Sequence, residues 1–123
     1  MSRILRFVLM WSVMLIAVGA RSVCAHAMPD HAEPRVGSTV DKSPMEVRIW
    51  FNEKIEPAFS AIEVFGADGK QIDKKDSHVD AKENRLLIVS VSSLAPGTYK
   101  VAWHVVSVDT HKTSGDFKFT IKP

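Results

Sequence analysis

Apolar and polar residues alternate one for one along three stretches of this chain, and a period of two commits those stretches to β-strands. From Met45 to Asn52, Val47, Ile49 and Phe51 fall on one face and Glu46, Arg48 and Trp50 on the other. From Thr98 to Val106, Tyr99, Val101, Trp103 and Val105 alternate with Lys100, Ala102, His104 and Val106. From Gly115 to Ile121, Phe117, Phe119 and Ile121 alternate with Asp116, Lys118 and Thr120. In a pleated strand each such set lies on a single side, so one face is available for a core and the other for water. Ala61 to Phe65 and Arg85 to Val91 also read as strands, and Met28 to Glu33 and Lys70 to Asp76 extend the pattern. Turn residues separate them at Pro34 to Ser38, Ser43-Pro44, Ala67 to Lys70 and Ala95 to Gly97. About seven short strands punctuated in this way predict an all-β domain, a seven-stranded antiparallel Greek-key barrel or Ig-like sandwich.

The first residues do not belong to that pattern. Arg3 and Arg6 precede an apolar run from Phe7 to Ala20, followed by Arg21-Ser22-Val23-Cys24-Ala25. A basic start, a short apolar stretch and small residues before a cut describe a secretory signal peptide. The run is shorter than the ~20 residues of a membrane span. A cut after Ala25 has Val23 and Ala25 in the two small-residue positions; cuts after Ala20 or Ala27 also obey the rule. Cys24 lacks the Leu-small-small run that precedes a lipidated cysteine. The expected division is a signal peptide at 1–25 and one exported domain at 26–123, with no membrane insertion after cleavage.

Cleavage there removes three of the 16 basic residues and none of the 14 acidic ones, so the net charge moves from +2 to −1. A near-neutral domain offers no polybasic face for nucleic acid or anionic lipid. The single cysteine, Cys24, leaves with the signal. The exported domain therefore has no disulfide and depends on its core.

All five histidines, at 26, 31, 78, 104 and 111, survive the cut. His78 lies in a polar stretch, Asp73 to Asn84, that reads as an exposed loop. His104 faces opposite Trp103, on the solvent side, and His31 sits beside Asp30. Asp109 and His111, in Ser107-Val108-Asp109-Thr110-His111, can project to one side of an extended segment. His26 is distinctive because cleavage after Ala25 makes it the first residue. Its free amine and its Nδ1 can then close a six-membered chelate ring. Such amines titrate near ~8 and imidazoles near ~6.5, so a metal can displace their protons at neutral pH. With Asp109 and His111 the donors are three nitrogens and one carboxylate oxygen. A tetragonal set of this kind suits Cu(II); Zn(II) accepts the same donors in a tetrahedron. Soft Cu(I) wants Met or Cys, and the domain holds only the widely spaced Met28 and Met45. On the residues alone, a surface turn with a solvated His111 remains the competing reading.

The run from His26 to Ile55, HAMPDHAEPRVGSTVDKSPMEVRIWFNEKI, resembles the opening of mature CopC-type copper-resistance proteins. Its marks are the first His, Pro34, Gly37, and a strand ending in Phe51-Asn52-Glu53. The closing run from Leu94 to Ile121 resembles the other half of that pattern: Gly-x-Tyr-x-Val-x-Trp, Ser-x-Asp-x-His, then Ser-Gly-x-Phe-x-Phe. The middle, from about Gly66 to Asn84, matches only loosely.

The resemblance implies a periplasmic Cu(II)-binding protein, not an enzyme, holding one Cu(II) per mature chain. The implied metal ligands are the His26 amine and imidazole, Asp109 and His111, with Glu53 as a neighbour of the site. It further implies a carrier or buffer in copper resistance or homeostasis, with an inner-membrane transporter of the CopD type as partner. The methionines of a second, Cu(I) site are missing here. Two other readings compete: a copper-dependent redox enzyme with an N-terminal histidine brace, and a metal-free Ig-like interaction module. Against the enzyme, Asp109 would occupy the position that oxygen needs.

Overall fold

The computed structural model describes residues 26–123, so the expected signal peptide at 1–25 lies outside the described residues. Eight strands are present among the described residues: β1 Pro29–Glu33, β2 Thr39–Val40, β3 Glu46–Phe51, β4 Ala61–Phe65, β5 His78–Val79, β6 Leu86–Ser90, β7 Gly97–Val106 and β8 Lys112–Ile121. A single 3-10 turn, Pro57–Phe59, joins β3 to β4, and there is no α-helix among the described residues. No helix among them is long and apolar enough to cross a membrane.

The strands form two four-stranded sheets, ordered β1-β3-β6-β5 and β2-β8-β7-β4. The chain passes from one sheet to the other five times, between β1 and β2, β2 and β3, β3 and β4, β4 and β5, and β6 and β7, as in a Greek-key sandwich. Every pair is antiparallel except β2 with β8, which is parallel. The expected all-β, Ig-like class holds. The strand list differs from expectation in its short members.

Lys70 to Asp76 forms no continuous strand, only isolated bridges at Gln71 and Asp73. The buried Asp73 explains this. Its carboxylate accepts the Val64 N–H at 2.8 Å and the Lys75 N–H at 2.9 Å, so a side chain replaces the backbone ladder there. His78, read as part of a loop, lies in the two-residue β5 against Ile88.

The core lies between the sheets and is built from the alternating sets. Val47, Ile49 and Phe51 of β3 meet Val101, Trp103 and Val105 of β7 and Phe117, Phe119 and Ile121 of β8. Each such side chain withdrawn from water stabilises by roughly 1.5–3 kcal/mol. Phe51 and Trp103 pack edge to face across the two sheets, with centroids 5.3 Å apart. β6 departs from alternation, with Leu86, Leu87, Ile88 and Val89 all buried. Its outward Leu86 lies opposite Trp50, and Ile88 lies between Arg48 and His78, whose large side chains flank this central strand.

Tyr99 closes the far end of the sandwich. Its hydroxyl donates to the Ala95 carbonyl at 2.6 Å, and its ring stacks on Phe119 at 5.6 Å. A tyrosine that bonds back to the chain just upstream is a recurring corner of Greek-key sandwiches.

Gly115 sits directly across the ladder from Trp103. A Cβ there would come within 2.6 Å of the Trp103 indole. The ring is buried and cannot move aside freely. Gly115→Ala is therefore expected to destabilise the domain by about 1–3 kcal/mol. Urea unfolding followed by tryptophan fluorescence reads this as a lower midpoint; a midpoint equal to that of the parent would contradict the close approach.

Candidate metal-binding site

β7 and β8 form the longest hairpin, paired in register from Gly97↔Ile121 to Val106↔Lys112. Its tip is Ser107 to His111, and the backbone there is closely specified. The Ser107 N–H donates to the His111 carbonyl at 3.0 Å, and the Thr110 N–H donates to the Ser107 carbonyl at 2.9 Å. Val108 is tied to the Lys54 carbonyl at 3.1 Å, so the segment after β3 braces the turn. Thr110 has φ +74°, in the left-handed region. For a β-branched residue this conformation costs about 1–2 kcal/mol, and strain of that kind concentrates where a turn must aim side chains.

Ser107 is fully buried. Its hydroxyl donates to Asp109 Oδ1. This hydrogen bond is the foremost reason that the Asp109 carboxyl is held below the usual carboxylate range. Partial desolvation opposes the shift, and the nearby His111 adds to it. Asp109 is thus an anion at neutral pH and well into acid. Any stability this lends is present above the ordinary carboxylate range and fades as pH falls through the lowered value; solvent screens it at so exposed a side chain.

With Oδ1 occupied, Oδ2 faces His111. It lies 3.2 Å from His111 Nδ1, near enough for an ion pair. Yet Nδ1 has no hydrogen-bond partner, although the atom itself is buried. The ring nitrogen is thus buried beside a carboxylate without a well-formed hydrogen bond. Two donors each ~2.0–2.1 Å from one metal ion and at right angles to each other would stand about 2.9 Å apart. The Asp109–His111 pair, at 3.2 Å, is near that spacing, and it is equally within ion-pair distance.

The third residue arrives on the arm that leads into β1, in the other sheet. The His26 ring stands edge-on to the His111 ring, with centroids 5.1 Å apart. Immediately after it, Ala27 is fully buried. The Ala27 carbonyl accepts the Thr113 hydroxyl at 2.7 Å. The Met28 N–H donates to Asn52 Oδ1 at 2.9 Å, and the Asn52 N–H donates to the Met28 carbonyl at 3.0 Å.

The structure thus brings His26, Asp109 and His111 to one end of the sandwich. Glu53 follows Asn52, is half-buried, and makes no hydrogen bond or ion pair among the described residues. The remaining histidines stand elsewhere. His31 lies 3.1 Å from Asp30 and stacks on Trp50 at 4.3 Å; His78 Nδ1 is 2.9 Å from the Asp76 carbonyl; His104 is exposed on the outer face. Among the described residues, no three His, Cys, Asp or Glu side chains converge closely enough to hold a metal by themselves. In this chain the His26 nitrogen is a peptide amide, because Ala25 precedes it.

Ser107, Asn52 and Thr113 take part in this arrangement without standing out in the sequence. Ser107 falls inside the Ser-x-Asp-x-His pattern, which is a signal of sorts. Asn52 and Thr113 act on backbone atoms 24 and 86 residues away, and no local pattern announces that.

A Greek-key β-sandwich with an imidazole–carboxylate cluster at the end of its longest hairpin is the class that fold and site define. The CopC domain model matches residues 30–122, and the chain belongs to the CopC family. The match includes Asp109 and His111; His26 lies just before it. Over 122 residues the chain is 35% identical to Protein YobA of Escherichia coli K12, covering 98% of this chain and 97% of that one. It is 31% identical over 121 residues to Copper resistance protein C of Xanthomonas campestris pv. juglandis, covering 90% and 93%. The crystal structure of CopC from Methylosinus trichosporium OB3b is similar with a TM-score of 0.71 and 32% identity, covering 80% of this chain and 95% of that one.

Proposed function

We propose that the exported chain binds one Cu(II) in the periplasm and acts as a copper carrier or buffer in resistance or homeostasis. The observation that carries this reading is the buried, unpartnered Nδ1 of His111, with the Asp109 carboxylate and the His26 ring beside it. Family membership supports it, as does the copper resistance named for the Xanthomonas relative.

The donors are the His26 amine and imidazole, the Asp109 carboxylate and the His111 imidazole. The amine is the donor that the three side chains lack, and cleavage after Ala25 creates it. Domain 26–123 therefore becomes competent only once residues 1–25 are removed. Three nitrogens and one oxygen favour Cu(II) over softer Cu(I). The role is binding and release rather than turnover, with Glu53 near the ligands and a CopD-type inner-membrane transporter as the receiver.

Titration of the exported chain with Cu(II), followed by tryptophan fluorescence and electron paramagnetic resonance, tests this. One equivalent should bind tightly with a tetragonal signal split by three nitrogens. His111→Ala should abolish tight binding. Unchanged affinity in that variant would remove His111 from the site and with it the proposal.

A further inference from the structure

Three hydrogen bonds and one buried methyl hold the chain at the residues directly after His26. Ala27 is fully buried, and its carbonyl takes the Thr113 hydroxyl at 2.7 Å. Met28 is gripped from both sides by Asn52, through the Asn52 side-chain oxygen at 2.9 Å and its backbone N–H at 3.0 Å. Pro29, which opens β1, has no N–H to give to the β1–β3 ladder, so the arm before it has to be held by other bonds. Asn52 and Thr113 supply them.

We infer that Thr113 and Asn52 are positioning residues that seat the amino-terminal arm so that His26 stands against His111; the consequence for metal binding rests on the copper reading above. Thr113 lies in β8 two residues after His111, which directly precedes that strand, so the hairpin that presents one ligand also anchors the arm that presents the other. Asn52 directly follows β3 and precedes Glu53, so the arm is tied to the β1-β3 sheet as well as to β8. From Ala27 to His26 is a single Cα step of ~3.8 Å, so an anchored Ala27 leaves His26 almost no reach of its own. The cost of ordering the arm is then met in folding, before the metal arrives. Preorganisation of this kind raises affinity without adding a ligand.

The test uses chains exported from the full-length gene. In the metal-free wild type, proton NMR should show a nuclear Overhauser cross-peak between the His26 and His111 rings. In Thr113→Val, which keeps the shape and removes the hydroxyl, that cross-peak should vanish. Its dissociation constant for Cu(II), measured against a competing chelator, should rise about 10–100-fold, the usual effect of removing a group that supports a ligand. Thr113→Ser, which restores the hydroxyl, should keep the cross-peak and bind within about threefold of wild type. Should Thr113→Val fail to fold, Asn52→Ala, at an exposed position, gives the same two readouts. A Thr113→Val chain that retains both the cross-peak and the affinity overturns the inference. Disappearance of the cross-peak at unchanged affinity overturns the link between arm and metal. A wild type that shows the cross-peak but binds no Cu(II) overturns the copper reading while supporting the seating of the arm.

Discussion

Acetylating the α-amine of His26, with an N-terminal acetyltransferase so that the lysines are untouched, will lower the affinity of the exported chain for Cu(II) by more than about 100-fold. Loss of a supporting partner alone costs a metal site about 10–100-fold, and here a donor is removed outright. The chelate ring goes with it, because the ring is closed by the amine and Nδ1 of one residue. The resonance signal should fall from three nitrogens to two. The fold should not respond: His26 is exposed, and the core begins at Ala27. A thermal midpoint that holds while affinity collapses is the expected pair of results. Equal affinity before and after acetylation would exclude the amine as a ligand and leave the site with the three side chains alone.

Trp103→Ala should cost about 3–5 kcal/mol, the range for removing a large buried aromatic side chain. Trp103 is only 6% exposed, it packs edge to face with Phe51 across the two sheets, and its indole fills the space over Gly115. Removing it opens a cavity that neither sheet can close without breaking its ladder. A domain of this size is stable by roughly 5–15 kcal/mol in total, and this one has no cysteine after residue 24 to cross-link it. At about 4–8 °C per kcal/mol the melting temperature should fall by tens of degrees. Cu(II) should recover part of that loss, because a ligand that binds only the folded chain stabilises it. A fall of less than about 5 °C would mean that Trp103 does not hold the sheets together.

The long strands are legible in the sequence because they alternate. β3, β4, β7 and β8 each carry their buried residues at every second position, and β4 has the same bounds in sequence and structure. β2 and β5 are two residues long, and a period of two cannot show itself in two residues. Lys70 to Asp76 looks like a strand in sequence but does not become one, because the Asp73 carboxylate takes the Val64 and Lys75 N–H groups and other backbone bonds split between Val64 and Ser90, on different sheets.

The site divides in the same way. Asp109 and His111 stand two apart in sequence, and the chain-end character of His26 comes from the cut expected after Ala25. The fold-dependent part is not written in any local pattern. Ser107 orients Asp109 from a fully buried position, and Thr113 and Asn52 hold backbone atoms from distant strands. These contacts are set by which strands become neighbours. Glu53, expected from the family pattern, sits beside Asn52 without a bond of its own among the described residues.

Completion of a one-copper site by cleavage after Ala25 is the central proposal. Native mass spectrometry of the exported protein, isolated with Cu(II) present, tests cleavage and stoichiometry together. The expected result is a single dominant species with the mass of residues 26–123 plus one copper ion. A copper-loaded species beginning at Arg21 or Met28, or a chain beginning at His26 that carries no copper, would contradict it.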